Sequence, residues 1–387
     1  MEPFKSGKKV QTTSLQGEAY SAFLPTNLRT DLEWIDKQTY VLLEEARGYL
    51  GELNAYAKLV PDIDYFIESY VAKEAEQSSR IEGTNTTLEE VYLDEEDLQG
   101  EEQVNDQKEV RNYIDAMNMA VNSISTPNQP PLSLRLICEA HRALLSGVRG
   151  HNKNPGQIRT VQNKIGGSRE TLADAVFIPP RPEDVPSLLT DLENFWHNTN
   201  KEMPNLIKVA YAHYQFETIH PFDDGNGRIG RLTIVLQLMS YGMLNRPVLY
   251  ISDYLEKNRA AYYDALMRVR ESNDLEHWVK FFLIGVRDTA KKGRDTLEQT
   301  IDLRGKYETR IVGSLSARRQ KQGRELLTYL FKKPVITAQQ VERVLSVSKP
   351  TAHKIVDEMT KANILREKTG MERNRVYTLH EYLALFN

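Results

Sequence analysis

Apolar residues recur at helical spacing over most of this 387-residue chain. In "LEWIDKQTYVLLEEARGYLGEL", "DYFIESYVAKEAEQSSRIEG", "VRNYIDAMNMAVNSI" and "LRLICEAHRALL" they fall at i, i+3 and i+4. That stripe is the mark of an amphipathic helix, and it predicts a helical region from Asp31 to about Leu145. The acidic stretch "DEEDLQGEEQVND" between these segments reads as a solvated connection. Residues 1–30 carry no such period and read as extended and irregular, with "FLPTNL" as a strap docked on the rest. Over residues 146–182 Gly, Asn and Pro break the rhythm. There "AVFIPP" is short and extended, and Pro179 and Pro180 keep it from being a central strand, which predicts a hairpin-like loop. Helical patterns resume at "PEDVPSLLTDLENFWHNT" and "NLIKVAYAHYQFETI", then "RLTIVLQLMSYGM", "RAAYYDALMRVRE" and "LEHWVKFFLIGVRDTAKKGRDTL". The expected fold class is all-α, with one small β-hairpin.

From about Gln322 the elements shorten. "GRELLTYLF", "TAQQVERVL" and "SKPTAHKIVDEMTKANIL" predict three short helices, and "REKTGMERNRVYTL" alternates like a two-stranded wing around Gly370. Ser348 and Thr351 are candidate caps of the third helix and Pro350 suits its first turn. Three short helices and a hairpin predict a winged helix-turn-helix. Charge changes the picture in the same place. Residues 301–387 hold 17 Lys and Arg against 9 Asp and Glu, a net of +8, while residues 1–300 hold 33 against 45, a net of −12. The chain is therefore divided into an N-terminal helical region (1–125), a central core (126–300) and a basic C-terminal module (301–387).

One cysteine, Cys138, excludes an internal disulfide and fits a reducing compartment; in its helical setting it reads as a buried structural thiol. The N-terminal residues lack the apolar stretch of a signal peptide, and no apolar run reaches the ~20 residues of a membrane span. A cytoplasmic protein without membrane contact is expected.

The densest chemistry lies in "IHPFDDGNGRIGR", Ile219 to Arg231. Gly225 and Gly227 permit a tight turn, and an apolar-periodic helix begins directly after them at Arg228. Free N–H groups at a helix start, beside residues without side chains, form a concave anion site. Arg228 and Arg231 are three apart, on one face of the first turn. Cations there oppose the helix dipole, which makes poor sense for stability and good sense for gripping a polyanion. Asp224 is the hard oxygen ligand that a phosphate-bridging Mg²⁺ takes. His220, at the end of the preceding helix, can serve as a general base near neutral pH.

"HPFDDGNGRIGR" resembles the signature of the Fic (filamentation-induced-by-cAMP) family, H-P-F-x-[D/E]-G-N-G-R-x-x-R, at every fixed position. "LLSGVRGHNKNPGQIRTVQ", the "FIPP" loop and "RAAYYDAL" resemble further segments of bacterial Fic proteins, so the similarity covers roughly residues 20–290. The resemblance implies a Fic helical core with a β-hairpin flap, and transfer of AMP from ATP to a Ser, Thr or Tyr hydroxyl of a protein. It implies that His220 deprotonates the hydroxyl and Asp224 holds Mg²⁺. It further implies that Gly225, Asn226 and Gly227 cradle the phosphates while Arg228 and Arg231 grip them. Val176, Phe177 and Ile178 would be the flap that aligns a target backbone by strand addition. Asn258, Tyr262 and Tyr263 are candidates for the nucleoside pocket, against the alternative that aromatics at helical spacing are core. Gly227 stands where the superfamily's phosphotransferase toxins carry Lys, which points to ATP as the AMP donor.

Upstream, "SSRIEG" closes a helix expected over about residues 64–83. Ser78 and Glu82 are four apart, on one face, and Gly83 suits the position past a helix end. A carboxylate in a last turn is unfavourable for the helix's own dipole. "S-x-x-x-E-G" resembles the inhibitory motif of the Fic class with an N-terminal inhibitory helix, which implies that Glu82 pairs with Arg231 and displaces the γ-phosphate from its productive position. Two alternatives stay open: a DNA-binding regulator whose pocket senses a nucleotide, and removal of AMP by the same site. The basic module suggests DNA or a protein as its partner, with Lys349, Thr351, His353 and Lys354 on the recognition helix and Arg373 and Arg375 on the wing. Self-modification and a homodimer remain open as well.

Overall fold

In the computed structural model, which describes residues 4–13, 17, 19–31, 36–59, 63–98, 100–126, 132–167, 171–199, 202–370 and 375–387, the chain opens with a hairpin where a strap was expected. Strands β1 (Gly7–Thr13) and β2 (Ala19–Pro25) pair antiparallel, from Gly7 opposite Pro25 to Thr13 opposite Ala19. The alternation is faint in sequence because only part of one strand finds apolar cover: Ala22 and Phe23 are buried while Lys8 and Lys9 are exposed. Tertiary contacts hold the hairpin down. The Phe23 N–H donates to the Ile178 carbonyl at 3.0 Å. The Ser6 N–H and hydroxyl both donate to Asn273 Oδ1, at 2.7 and 2.8 Å.

The N-terminal helices are α1 (Lys37–Leu59), α2 (Asp64–Ile81), α3 (Leu88–Val91) and α4 (Glu101–Ser125), followed by α5 (Leu134–Leu144). The acidic stretch read as a loop is partly the first turn of α4, where Glu101 and Glu102 suit the helix's positive end. From Ser69 onward α2 is buried on nearly every side, including Lys73, Glu74, Glu76, Gln77, Ser78 and Ser79. It lies between α4 and the helices that follow, so each polar residue needs a partner. Lys73 pairs with Glu76 at 3.0 Å, and Glu74 accepts from the Ser252 N–H at 2.9 Å. α2 ends in a Schellman motif: Thr84 N–H reaches Ser79 O at 3.2 Å and Gly83 N–H reaches Arg80 O at 3.0 Å. The motif needs a left-handed residue, and Gly83 supplies it at φ 97°. Glu82 is thereby fixed at the last position before the turn.

The central helices are α6 (Val185–Trp196), α7 (Asn205–Ile219), α8 (Asn226–Ser240), α9 (Ser252–Lys257), α10 (Arg259–Ser272) and α11 (Leu275–Ser314). α7 and α8 form the middle of the core, buried from Leu206 to Ile219 and from Arg228 to Leu238. Trp278 of α11 donates its indole N–H to Ala210 O at 2.8 Å. At 40 residues α11 is about 60 Å long and α1 lies along it. The expected division at 300/301 falls inside this one helix: Trp278 and Phe282 sit in the central core, while Leu303, Tyr307 and Ile311 are buried further along. Between α5 and α6 the expected β-hairpin shrinks to a single bridge, Ile165 with Phe177. Pro179 and Pro180 have no N–H to extend it.

The C-terminal part comprises α12 (Ala317–Lys332), β3 (Val335–Thr337), α13 (Ala338–Leu345), α14 (Lys349–Lys361), β4 (Arg366–Glu367), β5 (Val376–Thr378) and α15 (His380–Ala384). The strands form an antiparallel sheet in the order β3-β5-β4. Ser348 precedes α14, but its hydroxyl meets that of Thr351 at 3.0 Å and no side chain caps the helix. Pro350 does lie in the first turn. Arg373 falls outside the described residues. Among the described residues no helix is long and apolar enough to cross a membrane.

Candidate active site

The turn between α7 and α8 pairs one strained residue with a glycine that takes the same backbone conformation freely. His220 ends α7 in the left-handed region (φ 50°, ψ 63°), rare for a residue with a Cβ, and Gly225 opens α8 in the same region at φ 77°. Three side chains that the sequence reading passed over keep this turn in place. Arg159 donates to the carbonyls of His220 (2.9 Å) and Pro180 (2.6 Å), so one guanidinium ties the "FIPP" segment to the turn. Asn163 donates to the carbonyls of His220 and Phe222, each at 3.0 Å. His141 of α5 stacks on Phe222 with ring centroids 3.8 Å apart. Its Nδ1 accepts the Gly156 N–H at 2.7 Å, so Nε2 carries the proton and donates to Asp224 O at 2.8 Å. Asn226 belongs to the same scaffold. Its side-chain amide accepts from Phe222 N–H and donates to Phe222 O, both at 2.8 Å. The side chain thus closes the loop, while the backbone N–H and the second amide N–H stay available for the expected cradle.

The turn borders a cavity of about 550 Å³, a volume suited to a nucleotide-sized ligand. His220, Asp224, Gly225, Asn226, Gly227, Arg228 and Arg231 line its floor. Glu82, Tyr262, Tyr263, Val176 and Phe177 line its walls. Asn258 is not among the lining residues; its amide donates to Tyr254 O at 2.9 Å, so it belongs to the start of α10. Tyr262 is buried, its hydroxyl 2.9 Å from His213 Nε2, whereas Tyr263 is exposed with Arg259 over its ring at 5.9 Å. Of the flap residues, Val176 is 63% exposed, while Phe177 is buried against Phe23 and lies under the Arg270 guanidinium at 3.9 Å. Ile178 offers its carbonyl to β2 and does not line this cavity.

Both arginines are 1% exposed, and each is neutralised from the N-terminal region. Arg231 donates through Nε to Ser78 Oγ (2.8 Å) and through Nη2 to Ser78 O (2.9 Å) and Glu82 Oε1 (2.7 Å). Gly227 makes that pair fit. A methyl there would lie 2.4 Å from Glu82 Oε1 and 2.9 Å from Arg231 Nη1. Arg228 donates to Glu109 Oε2 of α4 at 3.1 Å. The same oxygen accepts from Arg149 (3.2 Å) and from the Thr84 hydroxyl (3.3 Å), just past Glu82. Nothing in the local sequence marks Glu109, since its partner is 119 residues away.

Burial alone would raise the Glu82 carboxyl, but the Arg231 guanidinium, with Arg228 and His220, outweighs it and the carboxyl stays below its usual range. His220 is pushed down to about 3 by burial and by Arg270 and Arg159, so its imidazole is neutral at pH 7 but a weaker base than the near-neutral one expected from sequence. One further carboxyl in the cavity escaped the sequence reading. Glu217, one turn before His220, is buried, its Oε1 meets no hydrogen-bond partner among the described residues, and burial raises it to about 7. It fits only because residue 230 is glycine; a methyl there would lie 2.2 Å from Oε1.

Two stretches of the chain match known family models. Residues 40–122 match the model of the Fic/DOC family N-terminal region, and residues 131–238 match that of the Fic/DOC family. The chain carries a Fic/DOC domain. Among curated relatives, the protein adenylyltransferase Fic of Drosophila grimshawi is 28% identical over 283 residues, 70% of this chain and 50% of that protein. Its namesake from Culex quinquefasciatus is 30% identical over 192 residues, 49% of this chain and 32% of that protein. The matches thus span a third to a half of these relatives' own length. Solved Fic structures share the fold. A Fic family protein from Desulfovibrio desulfuricans G20 has a TM-score of 0.56 at 20% identity, covering 89% of this chain and 96% of that one. A Fic domain containing signaling protein from Bacteroides thetaiotaomicron has a TM-score of 0.53 at 19% identity, covering 66% of this chain and 97% of that one.

The state of Glu217 has a measurable sign. A carboxyl whose folded pKa is raised contributes stability that is complete below its unfolded value near 4.5 and is lost as pH rises through about 7. Glu217→Gln mimics the protonated form. Between pH 5 and 7 the unfolding free energy of the unaltered protein, read from its thermal melts, should fall more steeply than that of the variant, by up to about 1.4 kcal/mol per pH unit. Parallel pH profiles of the two melts would show that Glu217 is already ionised.

Proposed function

We propose that this chain transfers AMP from ATP to a hydroxyl side chain of a protein, and that Glu82 restrains the reaction through Arg231. The ion pair at 2.7 Å across Gly227 carries the reading. It sets a carboxylate on the cation that a triphosphate would use, at the open end of α8, within the cavity that His220 borders. The relatives' name, protein adenylyltransferase, supports the reaction class.

In the proposed step neutral His220 takes the proton of the target hydroxyl as its oxygen attacks the α-phosphorus of ATP. The new P–O bond forms as the bond to pyrophosphate breaks, and pyrophosphate leaves with the electron pair. Arg228, Arg231 and the backbone N–H groups at Gly225, Asn226 and Gly227 offset the charge on the phosphates. Glu82, placed on Arg231, competes with the terminal phosphate for the same guanidinium. Asp224 suits Mg²⁺. It lines the cavity beside the helix start, and a phosphate-bridging Mg²⁺ takes only one or two carboxylates from the protein. When bound, the ion would neutralise phosphate charge. Val176, on the exposed side of the cavity, suits alignment of a target segment.

A second reading rests on the C-terminal part. Its net charge of +8 and the succession α12, α13, α14 and a three-stranded sheet support a winged helix-turn-helix that contacts DNA, with the Fic pocket as a nucleotide sensor. A sensor has no use for a neutral base beside the phosphate cradle, so transfer is the better-supported function. AMP removal would use the same residues.

Incubating the full chain with α-³²P-labelled ATP, Mg²⁺ and cell lysate tests the proposal. Glu82→Gly should raise protein labelling about tenfold or more, because Arg231 loses a partly buried partner. Adding His220→Ala to that variant should abolish it. Equal labelling by Glu82→Gly and the unaltered chain would remove the restraint, and labelling that survives His220→Ala would remove the base.

A further inference from the structure

A second cavity, of about 950 Å³, adjoins the first and shares Val176, Phe177, Met267 and Arg270 with it. One wall is the N-terminal hairpin, through Lys8, Lys9 and Tyr20 among others; the other is the segment from Thr171 to Ile178. Two features make this a groove for an extended chain. Its hairpin wall is two seven-residue strands, and β1 pairs only with β2 among the described strands, leaving a free edge. Its other wall is the segment whose Val176 side chain is 63% exposed and which ends at the catalytic cavity. Among the described residues the charge is one-sided: Lys8, Lys9 and Arg270 line the groove against Glu271.

We propose that this groove binds an extended, acidic segment of the target protein and delivers its hydroxyl residue to His220. The inference rests on the reading of the site as an AMP transferase and adds the substrate's chemistry to it. A strand of about seven to ten residues laid along the hairpin takes backbone hydrogen bonds from it, and Asp or Glu near the hydroxyl meets Lys8 and Lys9. Lysines on an edge strand also discourage edge-to-edge aggregation. Glutamates would do so equally, which separates the two roles.

The test uses the full chain made catalytically silent by His220→Ala, with fluorescent serine peptides flanked by acidic or by basic residues, read by anisotropy. The acidic peptide should bind more tightly, and less so as salt is raised. Lys8→Glu/Lys9→Glu should weaken it about three- to tenfold and favour the basic peptide. Equal binding of the two peptides, or indifference to the reversal, overturns the proposal. Because binding is read without chemistry, failure of AMP transfer in the labelling assay would count against the reaction and leave this result standing.

An independent set of contacts assigns a partner to the Glu82 latch. The C-terminal part grips the chain on both sides of Glu82. Before it, Phe66 of α2 lies 5.1 Å from Phe331, Tyr70 lies 5.2 Å from Phe386, and Glu68 pairs with Lys332 at 2.9 Å. After it, Glu89 of α3 pairs with Lys368, and Asp94 accepts from Gln340 at 2.9 Å. We infer that the C-terminal part holds the Glu82 turn on Arg231, so that whatever displaces it frees the latch. In Lys332→Glu/Lys368→Glu the Gly83 and Thr84 amides, bonded to Arg80 and Ser79, should exchange with deuterium about two- to tenfold faster. The compensating Glu68→Lys/Glu89→Lys should restore slow exchange. Unchanged exchange in the first variant, or no recovery in the second, overturns the inference.

Discussion

A guanidinium buried to 1% exposure cannot stand alone, and the site is built around supplying Arg231 with negative charge. Desolvating an isolated cation costs several kcal/mol even after relaxation, so some anion must always face it. In the structure that anion is Glu82, with the Ser78 hydroxyl and carbonyl accepting two further N–H groups. Under the proposed function the terminal phosphate of ATP is the alternative anion, and the two exclude each other because both need the same fork of N–H groups. Restraint then requires no large motion. It requires only that α2 end where it does, and the Gly83 Schellman motif fixes that end.

Arg228 follows the same rule with a different carboxylate. Glu109 holds it at 3.1 Å and, through Thr84 and Arg149, touches the turn that carries Glu82. The two cations at the α8 N-terminus oppose the helix dipole, and two carboxylates from the N-terminal helices offset them. Around these charges a hydrogen-bonding scaffold of His141, Arg159, Asn163 and Asn226 satisfies the carbonyls of the turn and over-determines the strained His220 backbone.

Much of this was legible in the chain because it is local. Helical periodicity located the longer helices but not the short α3 and α9, and the spacing from His220 to Arg231 placed base, carboxylate, glycines and arginines on one turn. Ser78 and Glu82 could be placed on one face by counting four residues. What stayed illegible is non-local. Glu109, His141 and Arg159 reach the site from 119, 83 and 61 residues away, and only the folded chain reveals them. The N-terminal hairpin escaped because its pairing is held by Ile178 and Asn273, far along the sequence. In the flap segment two prolines follow the short apolar run, and the described residues pair through one bridge. Asn258 lies at the start of α10 and outside the cavity lining, a distinction helical spacing cannot make.

The central claim is that Glu82 and the nucleotide's phosphates compete for Arg231. Calorimetric titration of ATP and Mg²⁺ into His220→Ala and into Glu82→Gly/His220→Ala measures that competition with no turnover. The account predicts tighter binding to the double variant, with the difference shrinking for AMP, which lacks the terminal phosphates. Equal ATP affinity for both proteins would contradict it.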